Sequence, residues 1–319
     1  MPGFHTRLDL TASASARLAP IVVPILTASL VVAGCGSAGE ASDGPATDRI
    51  TVVATTTVFA DLVAQVGGAR VDVASLVPKG GVVETFDPTP SDVRRLAEAD
   101  LVVTNGLGLD GWVAGLVRDS GTAAPVIELA PDLPGVEYIA DEEGTGEPNP
   151  HLWLNVGYAR EYVARIADAL ARVDPGRAQE YAGAAAASDA RLAALDEEVR
   201  AAIASLPAER RRVVSFHDAF PYFAAAYGLE IMGTVIDAPG QDPSAGEIAD
   251  LVAAIRAAGV TAILSEAQFS DDLVRTLAEE TGVAVVSDLY TDSLGAPPTD
   301  TYVGMMRSNI ERVSAAIRG

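Results

Sequence analysis

Short runs of β-branched and other apolar residues alternate with segments of helical periodicity from position 50 to the end of the chain. In the first half, strands are predicted at 50–54, 71–77, 101–104 and 126–129, with helices at 57–66, 91–99 and 110–119. The same rhythm returns after position 205, with strands at 213–216, 229–235, 262–265 and 283–287 and helices at 219–227, 244–258, 270–281 and 299–317. Strands that alternate with helices are typical of parallel sheets. We therefore predict an α/β fold of two lobes, each with a parallel β-sheet flanked by helices.

One uninterrupted helical pattern separates the two sets of strands. It begins at Asp174-Pro175, a favourable helix start, and continues to Leu206, where Pro207 stops it. About 30 residues at 1.5 Å per residue give a length of roughly 45 Å. We predict that this single long, rigid helix (174–206) joins an N-terminal lobe (49–173) to a C-terminal lobe (207–319).

The N-terminus has the features of an export signal. Residues 18–32 are apolar and follow Arg7 and Arg17, but the stretch is too short to span a membrane comfortably. It ends in Val-Ala-Gly-Cys, which resembles a bacterial lipobox and implies a signal peptide over 1–34 with a lipid attached to Cys35. The alternative is an ordinary signal peptide with an incidental cysteine. Residues 35–48 are rich in Gly, Ala, Ser, Asp and Pro, which is typical of a flexible tether.

The charge balance narrows the class of ligand. The chain has 44 acidic and 22 basic residues, a formal net charge of −22. Such a surface repels polyanions, so nucleic acid and anionic lipid surfaces are poor partners and a cation is favoured. The single cysteine excludes an intrachain disulfide.

Only three histidines occur in the chain, and His5 lies in the predicted signal peptide. His217 directly follows a predicted strand, and His151 lies in a loop that leads into a helix. A single histidine is more often a structural residue than a ligand. These two, however, fall on opposite lobes at element edges, where ligands of α/β proteins bind.

Four separated segments, in the right order, resemble the metal-binding proteins of bacterial ABC transporters for zinc and manganese, solute-binding protein family 9. Residues 149–155 (Asn-Pro-His-Leu-Trp-Leu-Asn) are similar to the family's Asp-Pro-His-x-Trp-Leu-Asp, and 217–223 to its His-Asp-Ala-Phe-x-Tyr-Phe. Residues 83–92 resemble its Pro-His-x-Tyr-Glu-Pro-Thr-Pro-x-Asp, and 291–295 (Thr-Asp-Ser-Leu-Gly) its fourth metal segment. The resemblance covers nearly all of 50–319.

This resemblance implies one metal ion in the cleft between the lobes, held by Glu84, His151, His217 and Asp292. Glu84 departs from the family, which normally has histidine there, but a carboxylate also binds Zn²⁺ or Mn²⁺. Two nitrogen and two carboxylate donors shift the expectation toward Mn²⁺ or Fe²⁺ without excluding Zn²⁺. Alternatively, Glu84 is a solvated loop acid, which would leave three ligands.

Three further acids lie near these segments. Asp288 is an alternative to Asp292 as a metal ligand, because it also follows a predicted strand. Asp292 could instead form an Asx-turn. Glu266 could form a hydrogen bond to a metal-binding side chain and orient it, or it could lie on the surface. Asp218 could cap the helix that follows it.

The resemblance implies an extracytoplasmic lipoprotein that captures a divalent transition-metal ion and delivers it to an ABC-type permease and its ATPase. It implies a monomer, anchored to the cell membrane through Cys35, that catalyses no reaction. Two alternatives remain from the residues alone. One is a metalloenzyme with a three-ligand site, although no hydrolase motif supports it. The other is a surface adhesion protein that metal stabilises.

Overall fold

The computed structural model describes residues 49–141, 146–236 and 238–319. The predicted signal peptide, tether and lipidated Cys35 lie outside these residues. Within them, no helix combines the length and the apolar character needed to cross a bilayer.

The N-terminal lobe is built on a parallel sheet with the strand order β2-β1-β3-β4. Its strands are β1 (Ile50–Ala54), β2 (Val71–Ser75), β3 (Leu101–Thr104) and β4 (Val126–Glu128). Its helices are α1 (Thr57–Gly67), α2 (Pro90–Ala97), α3 (Val113–Ser120) and α4 (Val156–Val173). β1 and β3, in the middle of the sheet, are almost wholly buried, as their continuous apolar sequences require.

The C-terminal lobe repeats this design with the strand order β6-β5-β7-β8. Its strands are β5 (Arg212–Ser215), β6 (Glu230–Thr234), β7 (Ala262–Glu266) and β8 (Ala284–Leu289). Its helices are α6 (Pro221–Tyr227), α7 (Ala245–Ala258), α8 (Asp271–Thr281) and α9 (Tyr302–Arg318). The predicted α/β fold of two parallel-sheet lobes is confirmed.

The long helix predicted between the lobes is also confirmed. A single 3₁₀ turn, Pro175–Arg177, leads into α5 (Ala178–Ala204), which gives 30 helical residues in all. Asp174 does not cap the helix with its side chain but accepts a hydrogen bond from the Tyr181 hydroxyl (3.0 Å). One face of α5 is buried along its whole length, through Tyr181, Ser188, Leu192, Leu195, Val199 and Ile203.

Helix α3 begins three residues later than the predicted start at position 110. The Asp110 carboxylate accepts hydrogen bonds from the backbone N–H of Asn105 (2.7 Å) and of Gly106 (3.0 Å) and from the Thr55 hydroxyl (2.8 Å). It therefore closes the loop after β3 instead of starting a helix.

The two lobes share one continuous hydrophobic core, which includes Leu62 of α1, Leu192 of α5 and Met305 of α9. Hydrogen bonds also cross between them. The Tyr302 hydroxyl donates to the backbone oxygen of Trp153 (2.6 Å), and the backbone N–H of Leu294 donates to the Thr57 hydroxyl (2.7 Å). The lobes are therefore parts of one folded body.

Candidate metal centre

Four loops at the carboxyl ends of the strands bring together Glu84, His151, His217 and Asp292. Glu84 follows β2, His151 lies between β4 and α4, His217 follows β5, and Asp292 follows β8. One nitrogen or oxygen atom of each lies within 4.8 Å of the others. Each lobe thus contributes two side chains, as expected at the edge of a parallel sheet where the chain connections reverse.

The spacing of these atoms suits one ion at their centre. His151 Nε2 lies 3.4 Å from His217 Nε2, 3.6 Å from Asp292 Oδ1 and 3.7 Å from Glu84 Oε1. His217 Nε2 lies 4.0 Å from Glu84 Oε1. Four ligands about 2.1 Å from a metal stand about 3.4 Å apart in a regular tetrahedron. The four separations given above range from this value to 0.6 Å above it, and every pair in the cluster lies within 4.8 Å.

Two carboxylate oxygens of the cluster are buried and accept no hydrogen bond within the described part of the chain, namely Glu84 Oε2 and Asp292 Oδ1. Leaving such an atom unsatisfied costs about 1–3 kcal/mol. A cation bound among the four side chains would remove that cost. The donor set therefore fits a divalent metal ion.

The Nδ1 atoms of the two imidazoles, which point away from the cluster, have different partners. His217 Nδ1 lies 2.6 Å from Glu266 Oε1, and both side chains are fully buried. His151 Nδ1 instead lies 3.2 Å from Asn149 Oδ1, a neutral acceptor. Contacts of this kind keep a proton on Nδ1 and direct the Nε2 lone pair into the cluster.

The protonation equilibria reflect this crowding of charges. Burial would lower the pKa of His217, but the charge and hydrogen bond of Glu266, with Asp292 and Glu84 nearby, raise it to about 10. Burial, together with the charge of Glu84, raises the pKa of Asp292 to about 7. Burial opposes ionisation of Glu84 too, yet the hydrogen bond from His151 and the two imidazoles lower its pKa. The four side chains thus form a crowded group of titratable side chains, in which protons compete with a cation for the same atoms.

Asp292 and its neighbour Thr291 are held by two side chains, Gln268 and Trp153, whose contacts the sequence did not reveal. The Gln268 Nε2 donates to Asp292 Oδ2 (3.2 Å) and to the Thr291 hydroxyl (3.3 Å), and the Trp153 indole N–H donates to the Thr291 backbone oxygen (2.9 Å). Asn149, the partner of His151, was also not singled out, although it stands in the motif where the family has aspartate. Nothing in the sequence pattern marks Gln268 except its place two residues after Glu266.

The remaining acids have different positions. Asp218 is buried and accepts hydrogen bonds from the Asn149 amide through its backbone oxygen (2.6 Å) and Oδ2 (3.0 Å), so it lies behind the partner of His151. Asp288 is not in the cluster. Its side chain is 64% exposed and pairs with Arg312 at 3.6 Å, so we expect no role for it in the site.

Two parallel-sheet lobes with a candidate cation site between them are the architecture of a solute-binding protein of the cleft type. The chain belongs to the zinc-uptake complex component A periplasmic (ZnuA) family, whose model matches residues 52–316. Members of this family are substrate-binding transport proteins and not enzymes, which disfavours the metalloenzyme alternative.

Individual relatives resemble the chain over most of its length. It is 29% identical to the manganese-binding lipoprotein MntA of Halalkalibacterium halodurans, over 90% of this chain and 94% of that protein. It is 26% identical to the iron ABC transporter substrate-binding lipoprotein MtsA of Streptococcus pyogenes, over 94% and 98% respectively. Among solved structures, the periplasmic zinc-binding protein TroA of Treponema pallidum matches with a TM-score of 0.77 and 30% identity, covering 84% of this chain and 99% of that one.

Proposed function

We propose that this protein captures one divalent transition-metal ion (Mn²⁺, Zn²⁺ or Fe²⁺) outside the cytoplasm and delivers it to an ABC-type permease with its ATPase. The convergence of Glu84, His151, His217 and Asp292, two from each lobe, carries the proposal. In this proposal the chain acts as a monomer, since a second copy is not needed to complete the set of four donors. Its N-terminal lipid is attached to Cys35, in keeping with the lipobox-like sequence and with relatives that are lipoproteins.

The charge of the site favours a divalent ion. Two ionised carboxylates and two neutral imidazoles carry a charge of −2, which one such ion neutralises. Carboxylate oxygens suit Mn²⁺ and Fe²⁺, whereas the general order of stabilities still places Zn²⁺ above both in affinity. Glu84, in the place of the family's histidine, thus makes the site richer in oxygen without excluding Zn²⁺.

Elemental analysis of the soluble fragment 49–319 tests the proposal. After stripping and reloading with Mn²⁺, Fe²⁺ or Zn²⁺, the parent should hold one ion per chain, and Glu84→Ala should hold it much more weakly. Asp87→Ala is the matched control, because Asp87 is an exposed acid of the same loop, three residues further on. No stoichiometric ion in the parent would overturn the proposal. Equal binding by the parent and Glu84→Ala would exclude Glu84 as a ligand.

Metal affinity should fall as the pH is lowered from 7 to 5. Ion binding must expel the Nε2 proton of His217, whose pKa is raised to about 10, and the proton that Asp292, with a pKa of about 7, gains on acidification. Each displaced proton weakens binding by about tenfold per pH unit. Competition with a chelator across this pH range measures the effect, and calorimetry in buffers of different ionisation enthalpy counts the released protons. An affinity that does not change with pH would contradict this ligand set.

A further inference from the structure

The two carboxylates of the cluster differ in how many oxygens they can offer to an ion. Glu84 Oε1 faces the imidazoles, and Glu84 Oε2 is buried without a hydrogen bond, so both are available. Asp292 presents Oδ1, which is also unsatisfied, to His151. Its Oδ2, in contrast, accepts the hydrogen bond from Gln268.

We propose that Gln268 determines metal preference by reserving Asp292 Oδ2, so that Asp292 binds the ion through one oxygen only. This inference rests on the proposed function. With Oδ2 engaged, the chain offers five donors: two imidazole nitrogens, two oxygens of Glu84 and one of Asp292. Releasing Oδ2 would supply a sixth donor, and six-coordinate, oxygen-rich sites suit Mn²⁺ whereas Zn²⁺ prefers four.

The position and contacts of Gln268 indicate that its amide controls how many oxygens of Asp292 bind the ion. It lies in the turn between β7 and α8, two residues after the carboxylate that holds His217, and its Nε2 bridges Thr291 and Asp292. An Asp292 that binds a cation is ionised and can only accept a hydrogen bond, so the N–H₂ end of the amide must then face it. The Gln268 Oε1 is buried and accepts no hydrogen bond from the described residues. The energetic cost of that unsatisfied oxygen is consistent with a side chain placed for the site and not for stability.

The test compares the ratio of Mn²⁺ to Zn²⁺ affinity in the parent, Gln268→Met and Gln65→Met. Gln268→Met keeps the length of the side chain but removes the donor, and should raise this ratio by about tenfold, the lower end of the effects of contacts behind metal ligands. Gln65→Met is the matched control, because it makes the same exchange at a glutamine of α1 that contacts Asp61 and not the cluster; it should leave the ratio unchanged. X-ray absorption of the Mn²⁺-loaded proteins should show one more oxygen neighbour in Gln268→Met. Melting curves of the metal-free variants verify folding.

Each outcome is decisive. An unchanged ratio in Gln268→Met, or an equal loss of affinity for both metals, would overturn the inference, because either result would show that Gln268 only supports the structure. The proposed function would not be affected. Bidentate Asp292 in the loaded parent would overturn it as well. A parent that binds no ion would overturn both proposals.

Discussion

Replacing His217 by alanine should reduce metal affinity by about a hundredfold to several hundredfold, so that the purified variant no longer holds a stoichiometric ion. Four-ligand zinc sites bind with about 10–16 kcal/mol, or roughly 2.5–4 kcal/mol for each ligand, and 1.4 kcal/mol corresponds to a factor of ten. The fully buried Glu266 would also lose its partner, so that its negative charge would no longer be shared with an imidazole. Competition with a chelator of known affinity measures the change.

Two further variants separate loss of the ligand from damage to the fold. His217→Asn retains a side-chain N–H for Glu266 but lacks the donor nitrogen, so it should fold and still fail to bind. Ser314→Ala alters another buried polar side chain, on α9, and should bind like the parent. Stoichiometric binding by a folded His217→Asn would contradict the assignment of His217 as a ligand.

Replacing Trp153 by alanine should lower the free energy of unfolding of the metal-free protein by about 3–5 kcal/mol, the usual cost of removing a buried large aromatic side chain. The indole is fully buried and packs at 5.2 Å against both Phe59 and His151, measured between ring centroids. Its N–H donates to the Thr291 backbone oxygen of the other lobe, so the substitution also leaves that buried carbonyl without this hydrogen bond. Urea unfolding of the metal-free protein, followed by circular dichroism, measures the loss.

The second tryptophan of the chain provides the matched control. Trp112 is only half-buried, contacts Phe86, and donates to the Val83 backbone oxygen within its own lobe. Trp112→Ala should therefore cost clearly less than Trp153→Ala. Equal costs for the two variants would contradict the view that Trp153 ties the lobes together.

The repeated strand–helix rhythm was sufficient to predict both sheets, because the parallel strands β1 and β7 are buried on both faces and have continuous apolar sequences. The long helix α5 could be predicted for a similar reason, since its stripe of apolar residues follows the helical period without a break. Predicted boundaries were wrong where a side chain accepted hydrogen bonds from the backbone of the preceding loop instead of starting a helix. Asp110, which closes the loop after β3 instead of starting α3, is the clearest case.

The four residues that converge in the cleft were the ones named from the resemblance, although two of them, Glu84 and Asp292, carry no distinctive spacing of their own. The contacts behind them were harder to foresee. Gln268 meets Asp292 only because β7 and β8 are neighbours in the sheet, and neighbouring strands are a property of the topology and not of local sequence. The choice between Asp288 and Asp292 likewise depended on which side chain turns inward after β8.

The shared core also constrains the order in which the polypeptide can fold. Helix α9 follows every strand of both sheets along the chain, yet Tyr302 at its start bonds to Trp153, and its apolar face packs into the same core as α1 and α5. A chain that emerges from a ribosome or a translocation channel with its N-terminus first therefore cannot complete this core until α9 is free. Until then its apolar segments stay available to chaperones, and the unfinished protein remains in a state that a secretion channel can thread.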